Sequence, residues 1–317
     1  MAILVTGGAG FIGSHLLERL HDETDEELVC LDNFDPFYAP ARKYRNLKQL
    51  LTSRRFDLVK ADLSDSDAVS WLFQQYAIEH VFHAGALAGV RPSVDNPLAY
   101  ERTNVAGTLV LLEAVRLHPV RRFLFFSSAT VYGSGCRAPF RETDPLGEVA
   151  SPYGATKRAG ENLCLLYHRL HGVPTVALRL FSVYGPRLRP DLALSRFVQA
   201  IARDQSLPLI GDGSQKRDFT NIADILDGIL AAWRSDLVGQ AINFGHNEPI
   251  SIRHLIELIE TEFGKRAQVE TAPSHPADVP LTCADLNKAA QLLQYRPRVS
   301  IDEGVREFVS WYRATHP

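Results

Sequence analysis

The sequence predicts an α/β fold, a doubly wound parallel sheet with a smaller α/β domain toward the C-terminus. Three observations predict it. Short apolar runs alternate with segments of helical periodicity, a glycine-rich turn joins the first run to the first helix, and the longest loops follow strand ends. Ala2 to Thr6 is an apolar run that stops at glycines, and Ile12, Leu16, Leu17 and Leu20 recur at helical spacing between Phe11 and Leu20. Leu28 to Leu31 reads as a second buried strand ending at Asp32, Asp57 to Lys60 as a third, and Val81 to Phe82 opens a fourth. Leu98 to Leu117 is long and largely apolar, Arg122 to Ser128 is another strand, and Tyr153 to His171 another helix. This βαβα order predicts parallel strands with helices on both faces.

The loops LDNFDPFYAPARKY and SGCRAPFRETDPLGEVASP are rich in proline, glycine and charge, and are expected to be surface excursions. Regularity breaks down near Arg179 and again around Gly211 to Asp218. These shifts assign residues 1–178, with 219–245, to a dinucleotide-binding domain, and residues 179–218 and 246–317 to a substrate domain.

At 317 residues, 45% hydrophobic and 22% charged, the chain can bury a large core. A formal charge of −3, from 34 basic and 37 acidic side chains, leaves no electrostatic footprint for duplex nucleic acid or an anionic membrane. Any anion must therefore be bound locally. Cysteines 30, 136, 164 and 283 form no C-x-x-C pair, which fits neither a metal site nor a disulfide scaffold, so they are read as reduced thiols. No apolar stretch approaches the ~18 residues of a membrane span, and MAILVTGGAG has no basic region before its apolar run. A cytoplasmic soluble protein is expected.

The strongest local signal is TGGAGFIGSH, in which Gly7, Gly10 and Gly13 lie between a strand and a helix. Glycine lets the backbone turn tightly and approach a pyrophosphate, whose charge meets the amides and dipole of the helix N-terminus. Asp32 follows Gly13 by 19 residues at a strand end, where a carboxylate can hydrogen-bond a ribose diol and repel a 2′-phosphate. This Rossmann-type pattern favours NAD over NADP. Asp62 is a candidate for the adenine side or, alternatively, a helix N-cap ahead of Ser64 and Asp65.

The second signal is Ser128, Tyr153 and Lys157. Tyr153 and Lys157 are spaced i,i+4, so they share one face of a helix with Ser151 as its cap and Pro152 at its first position. A phenol with an ordinary pKa near 10 is a poor base at neutral pH, and an ammonium one turn away stabilises its phenolate. Such a pair can remove a hydroxyl proton.

GGAGFIG, SSATVYG and YGATK, in this order and spacing, resemble the extended short-chain dehydrogenase/reductase superfamily, specifically its nucleotide-sugar epimerases and dehydratases. The resemblance covers almost the whole chain. It implies that Tyr153 is the general base, that Lys157 steadies the phenolate and binds the nicotinamide ribose, and that Ser128 bridges the sugar O4. It further implies NAD contacts at Gly7, Gly10, Phe11, Ile12, Gly13, Asp32, Asn33, Asp62, Leu63, Ala84 and Lys157. His83-Ala84-Gly85-Ala86 stands where relatives have H-x-A-A, with Gly85 replacing an alanine, and Asn104 fits a structural asparagine. Dehydratases carry an acidic pair after the catalytic Ser/Thr, whereas this chain has Ala129-Thr130, which argues against dehydration.

AGVRPS (Ala88 to Ser93), VYGPRLRPDLAL, KRDFTNIADI and HPADVPLTCADLNKA look like the UDP-glucuronate 4-epimerase subfamily. That resemblance implies reversible C4 inversion of UDP-glucuronate to UDP-galacturonate through a 4-keto sugar, by a homodimer meeting through Leu98 to Leu117 and Tyr153 to His171. A hexuronate needs a cation, and Arg189, helped by Ser182 and Thr130, is the candidate for its carboxylate; an exposed loop arginine is the other reading. Arg91 and Arg187 are alternatives. Arg217 and Asp278 resemble contacts to the diphosphate and uridine ribose, although a salt bridge between the two would also account for them. Ala129 stands where the subfamily often has serine, and Ile210 where some relatives stack an aromatic on uracil. The competing readings are a C4 epimerase of a neutral UDP-sugar (UDP-glucose or UDP-N-acetylglucosamine), then a UDP-glucuronate decarboxylase, then a non-catalytic dinucleotide-binding protein.

Overall fold

The computed structural model describes residues 1–273 and 279–316, which divide into two compact units. The first comprises residues 1–131, 151–179 and 229–242, and the second residues 132–150, 180–228 and 243–317. A seven-stranded sheet begins with β1 (Ala2–Thr6), β2 (Glu27–Leu31), β3 (Phe56–Val59), β4 (Ile78–His83), β5 (Arg122–Ser128) and β6 (Thr175–Leu180). Its order runs Gln240–Phe244, β6, β5, β4, β1, β2, β3. Pairings β1–β2, β1–β4, β2–β3 and β4–β5 are parallel.

All five residues of β1 are buried, as expected of a parallel strand covered on both faces. Ala2 and Leu4 join a core layer with Leu72 and Phe73 of helix Ser66–Gln75, Leu111, Leu112 and Val115 of helix Gly107–Leu117, and Cys164 and Tyr167 of helix Pro152–His171. Because strand side chains alternate, Ile3 and Val5 point to the opposite face. The expected strands and helices are present, with ends shifted by a few residues.

Two differences matter for the site. Residues 97–117 form a helical run interrupted by a π-helical segment, Arg102–Ala106, which contains the buried Asn104. The loop after β2 contains helix Pro40–Leu47 and buries Phe34, so it is more than a surface excursion.

The unit boundaries also differ from those drawn on composition. Residues 132–150 group with the second unit because Tyr132 donates to Asn243 Oδ1 at 2.7 Å, and Phe140 exchanges backbone hydrogen bonds with Cys283 and Asp285 at 2.7 and 2.9 Å. Residues 219–228 belong there too, since Phe219–Asn221 pairs in parallel with Ser182–Tyr184. The second unit also contains helices Ala193–Ala202, Ile252–Phe263 and Ile301–Thr315, the last opened by a Ser300–Glu303 capping box.

Candidate active site

Parallel pairing brings the carboxyl ends of β1, β2, β4 and β5 to one edge, where α/β folds place ligands. At the β1 end, Gly7 has φ 66°, and a Cβ there would lie 2.7 Å from Gly85 Cα. A Cβ on Gly13 would lie 2.4 Å from the Gly7 carbonyl oxygen, so the helix packs directly on the loop. Helix Phe11–Glu23 starts after Gly10 with no side-chain cap, leaving its first amides for an anion. Asp32 accepts from the amides of Ala9 (3.1 Å) and Phe34 (2.8 Å).

Asn33 donates to Asp62 at 2.9 Å, so these two candidates meet directly. Asp62 is not the helix N-cap of the alternative reading; Asp65 caps Ser66–Gln75. Burial, which pushes the Asp62 carboxyl up, is outweighed by hydrogen bonds from Ser64 and Asn33, and its pKa is lowered. Leu63 packs against Gly107, and Ala84 follows β4 directly.

Lys43 escaped sequence reasoning. It is buried, with Nζ 3.5 Å from Asp32 Oδ1 and 5.3 Å from the Tyr38 ring. Its only sequence signal is a basic residue in a loop read as exposed.

Between the glycine loop and helix Pro152–His171 runs a chain of buried hydrogen bonds. Thr108 donates its hydroxyl to the Asn104 carbonyl at 2.7 Å, so its oxygen accepts from His83 Nε2 at 2.9 Å. His83 Nδ1 then accepts from the Thr6 hydroxyl at 2.8 Å, and Thr6 Oγ1 accepts from the Gly85 amide at 3.0 Å. In a neutral imidazole this pattern places the proton on Nε2. Burial, together with the nearby Lys157 charge, pushes the His83 pKa down to about 3. Gly85, the departure from the usual alanine, is explained here: a Cβ would lie 2.9 Å from Thr6 Oγ1. Asn104 extends the chain, accepting from the Leu87 amide (2.8 Å) and donating to the Leu87 carbonyl (2.9 Å) and Thr156 Oγ1 (3.0 Å).

Helix Pro152–His171 begins as expected, with Ser151 Oγ accepting from the Gly154 amide and proline in the first turn. It carries Tyr153 and, one turn on, Lys157. Lys157 is buried and donates to the Phe126 carbonyl at 2.7 Å, which fixes it beneath the strand that ends at Ser128. Burial lowers its pKa to about 8, leaving it mostly charged at neutral pH. Ser128 Oγ accepts from the Thr130 amide (3.2 Å) and hydroxyl (3.0 Å), so its own proton is available to another acceptor. Arg91 lies on the short helix Val90–Asp95. The first unit contains the glycine loop, Asp32, Asn33, Asp62, Leu63, Ala84, Arg91, Ser128, Thr130, Tyr153 and Lys157, with Asn33 meeting Asp62 and Thr130 meeting Ser128 directly.

Ser182, Arg189 and Arg217 belong to the second unit. Ser182 opens a short strand, and Arg217 lies on Lys216–Arg217, paired with Ile250–Ser251. Arg189 is not an exposed loop arginine. Its side chain is 16% exposed and grips Asp191 through Nε (3.0 Å) and Nη2 (2.6 Å). Asp278 lies outside the described residues.

The residues fit a dinucleotide: glycines where a Cβ would collide, an uncapped helix start and an acid at the β2 end. Ser128, Tyr153 and Lys157, the set that resembles the short-chain dehydrogenase/reductases, lie in the same unit. The chain belongs to the family described as GDP-mannose 4,6 dehydratase, whose model matches residues 4–308. It is 39% identical over 309 residues to the UDP-glucuronate 4-epimerase of Thermodesulfobacterium geofontis, covering 97% of this chain and 95% of that one. Among solved structures it resembles UDP-glucuronic acid 4-epimerase from Bacillus cereus in complex with UDP-glucuronic acid and NAD, at 38% identity and TM-score 0.94 over the full length of both chains. It also resembles a UDP-glucose 4-epimerase with UDP-glucose from Thermotoga maritima, at 30% identity and TM-score 0.92, again over both full lengths.

Proposed function

We propose that the protein is an NAD-dependent UDP-glucuronate 4-epimerase that interconverts UDP-glucuronate and UDP-galacturonate through a 4-keto sugar. The reading is carried by the full-length match to the Bacillus cereus enzyme, in a chain whose first unit holds both the glycine cradle and the Ser128, Tyr153 and Lys157 set. The glycine loop, Asp32 with Lys43, Asn33, Asp62, Leu63 and Ala84 would hold NAD, which when bound supplies the hydride acceptor and donor that C4 requires. Tyr153 takes the O4 proton, Lys157 stabilises the phenolate from its anchored position, and Ser128 donates to O4. The same groups return the proton after the keto sugar has turned over.

The 4-keto uronate is a β-keto acid and loses CO2 when its carboxylate bond aligns with the carbonyl π system. Arg189, with Ser182 and Thr130, is proposed to hold that carboxylate near the ring plane. Asp191 holds the Nε and Nη2 edge of its guanidinium, which orients the group. Arg91 is the alternative cation for the carboxylate, Arg217 is a proposed diphosphate contact, and Asp278 a uridine-ribose contact. Dehydration lacks its acid, since Ala129-Thr130 follows Ser128.

A homodimer through residues 98–117 and 153–171 is supported by Leu98, Leu117 and Leu170, which are 80%, 65% and 61% exposed. Sedimentation at micromolar concentration tests it, with a 35.3 kDa species contradicting it. A cytoplasmic location is supported by the four free cysteines. No helix among the described residues is long and apolar enough to cross a membrane.

The function is tested by following UDP-glucuronate with the purified protein by NMR, with no reductant added. UDP-galacturonate is the expected product. A UDP-pentose would indicate decarboxylation, and inactivity here with turnover of UDP-glucose or UDP-N-acetylglucosamine would assign a neutral sugar instead.

A further inference from the structure

We propose that Ser93 is a positioning residue for the Tyr153 base, tying the first turn of the catalytic helix to the Ala88–Ser93 segment. The inference rests on the reading of Tyr153 as the base of the epimerase. It starts from the backbone donors that open helix Pro152–His171, which have no partners inside the helix. Pro152 has no N–H, Gly154 donates to the Ser151 cap, and Ala155 makes the first bond along the helix, to the Ser151 carbonyl. Tyr153 is the one whose amide partner comes from a distant part of the chain. It donates to Ser93 Oγ at 3.0 Å.

Ser93 is fully buried and suited to this task. Its hydroxyl proton goes to the Val90 carbonyl at 2.5 Å, which leaves its oxygen as an acceptor for Tyr153. A second tether reaches the same tyrosine. The Tyr100 ring meets the Tyr153 ring edge-on at 6.2 Å, while the Tyr100 hydroxyl donates to the Ala88 carbonyl at 3.1 Å. A third, through Asn104, joins Leu87 to Thr156. Gly89, at φ 125°, lets the chain turn into the short helix between these anchors.

Ser93 alone of the three acts on the Tyr153 backbone, and it lies two residues beyond Arg91 on that short helix. The first turn of a helix frays readily, and a shift of about 1 Å at a reacting group can cost on the order of 100-fold in rate. A substrate held by Arg91 would therefore fix the segment that fixes Tyr153.

The test compares Ser93→Cys, which keeps the volume but supplies a poor acceptor, with Ser93→Thr, which keeps the hydroxyl. Both are measured in the NAD-loaded enzyme. Ser93→Cys is expected to lower kcat about tenfold or more with KM within about threefold, and to raise the solvent deuterium isotope effect on kcat as proton removal becomes rate-limiting. Ser93→Thr is expected to stay within about threefold of the parent, because its oxygen still accepts. Equal kcat in the parent and Ser93→Cys would overturn the proposal. So would parallel losses in both variants that track thermal stability and leave the isotope effect unchanged.

Amide hydrogen exchange over residues 151–157 needs no turnover, and so separates this inference from the functional reading. Exchange about tenfold faster in Ser93→Cys, and unchanged in Ser93→Thr, supports the tether. Equal protection in both overturns it. An inactive parent enzyme would count against the epimerase reading alone.

Discussion

On the β1–β2 side of the strand-end edge the backbone sets the geometry: Gly7 turns at φ 66°, Gly13 packs against the Gly7 carbonyl, and Asp32 is held by two main-chain amides. On the β4–β5 side the work falls to side chains far apart in sequence. Thr6, His83, Thr108, Asn104 and Thr156 pass hydrogen bonds from the glycine loop to helix Pro152–His171, and Lys157 reaches back to Phe126. The first kind of site leaves no room for an added Cβ at Gly7 or Gly13. The second tolerates small backbone adjustments but needs particular donors and acceptors in one protonation state.

The largest expected effect comes from the catalytic side. Tyr153→Phe removes the proposed base and keeps the ring, and should lower kcat by about 10³-fold or more while bound NAD, measured by absorbance after denaturation, is unchanged. Residual activity within tenfold of the parent would assign the proton transfer to another group.

Arg189→Ala should come next, lowering UDP-glucuronate turnover on the order of 100-fold and diverting part of the product to a UDP-pentose with release of CO2. Equal activity on glucuronate in that variant would remove Arg189 from the role.

Gly13→Ala tests the backbone-built side. A Cβ 2.4 Å from one backbone atom and 2.7 Å from another forces the loop to move, at a cost of about 1–3 kcal/mol. NAD affinity is expected to fall about 10- to 100-fold by titration calorimetry, with the helical circular dichroism preserved. Unchanged affinity would mean that the cradle does not need this close approach.

The smallest effect concerns His83. Its folded pKa of about 3 lies below the 6.5 of an unfolded chain, so the unfolded state binds a proton that the folded state excludes. The resulting stability is complete above pH 6.5 and declines as pH falls toward 3, by about 1.4 kcal/mol per pH unit. His83→Gln, which can still bridge Thr6 and Thr108, should lose about 2 kcal/mol less than the parent between pH 6.5 and 5 in urea unfolding. Identical pH dependence in the two proteins would show that the imidazole is not held neutral.

The same contrast explains what could be read from sequence. Gly7, Gly10, Gly13 and Asp32 form a local pattern whose chemistry follows from spacing, and the i,i+4 pair Tyr153 and Lys157 follows from helical period. Capping by Ser151 was equally local. Lys43 and Ser93 were not legible as site residues, because their partners Asp32 and Tyr153 meet them only through tertiary packing. Asp62 illustrates the middle ground: its residue type suggested a cap, yet the hydrogen bonds assign that task to Asp65 and join Asp62 to Asn33. The loop of residues 134–152 misled for a related reason, since its composition is that of a surface segment while the buried Phe140 ties it to Cys283 and Asp285.

The central claim is that the hydrogen leaving C4 returns to C4 within one turnover. UDP-glucuronate deuterated at C4, converted in ordinary water with no added cofactor, tests it directly. UDP-galacturonate that keeps the deuterium at C4 is the predicted result, and product carrying solvent hydrogen at that carbon would contradict it.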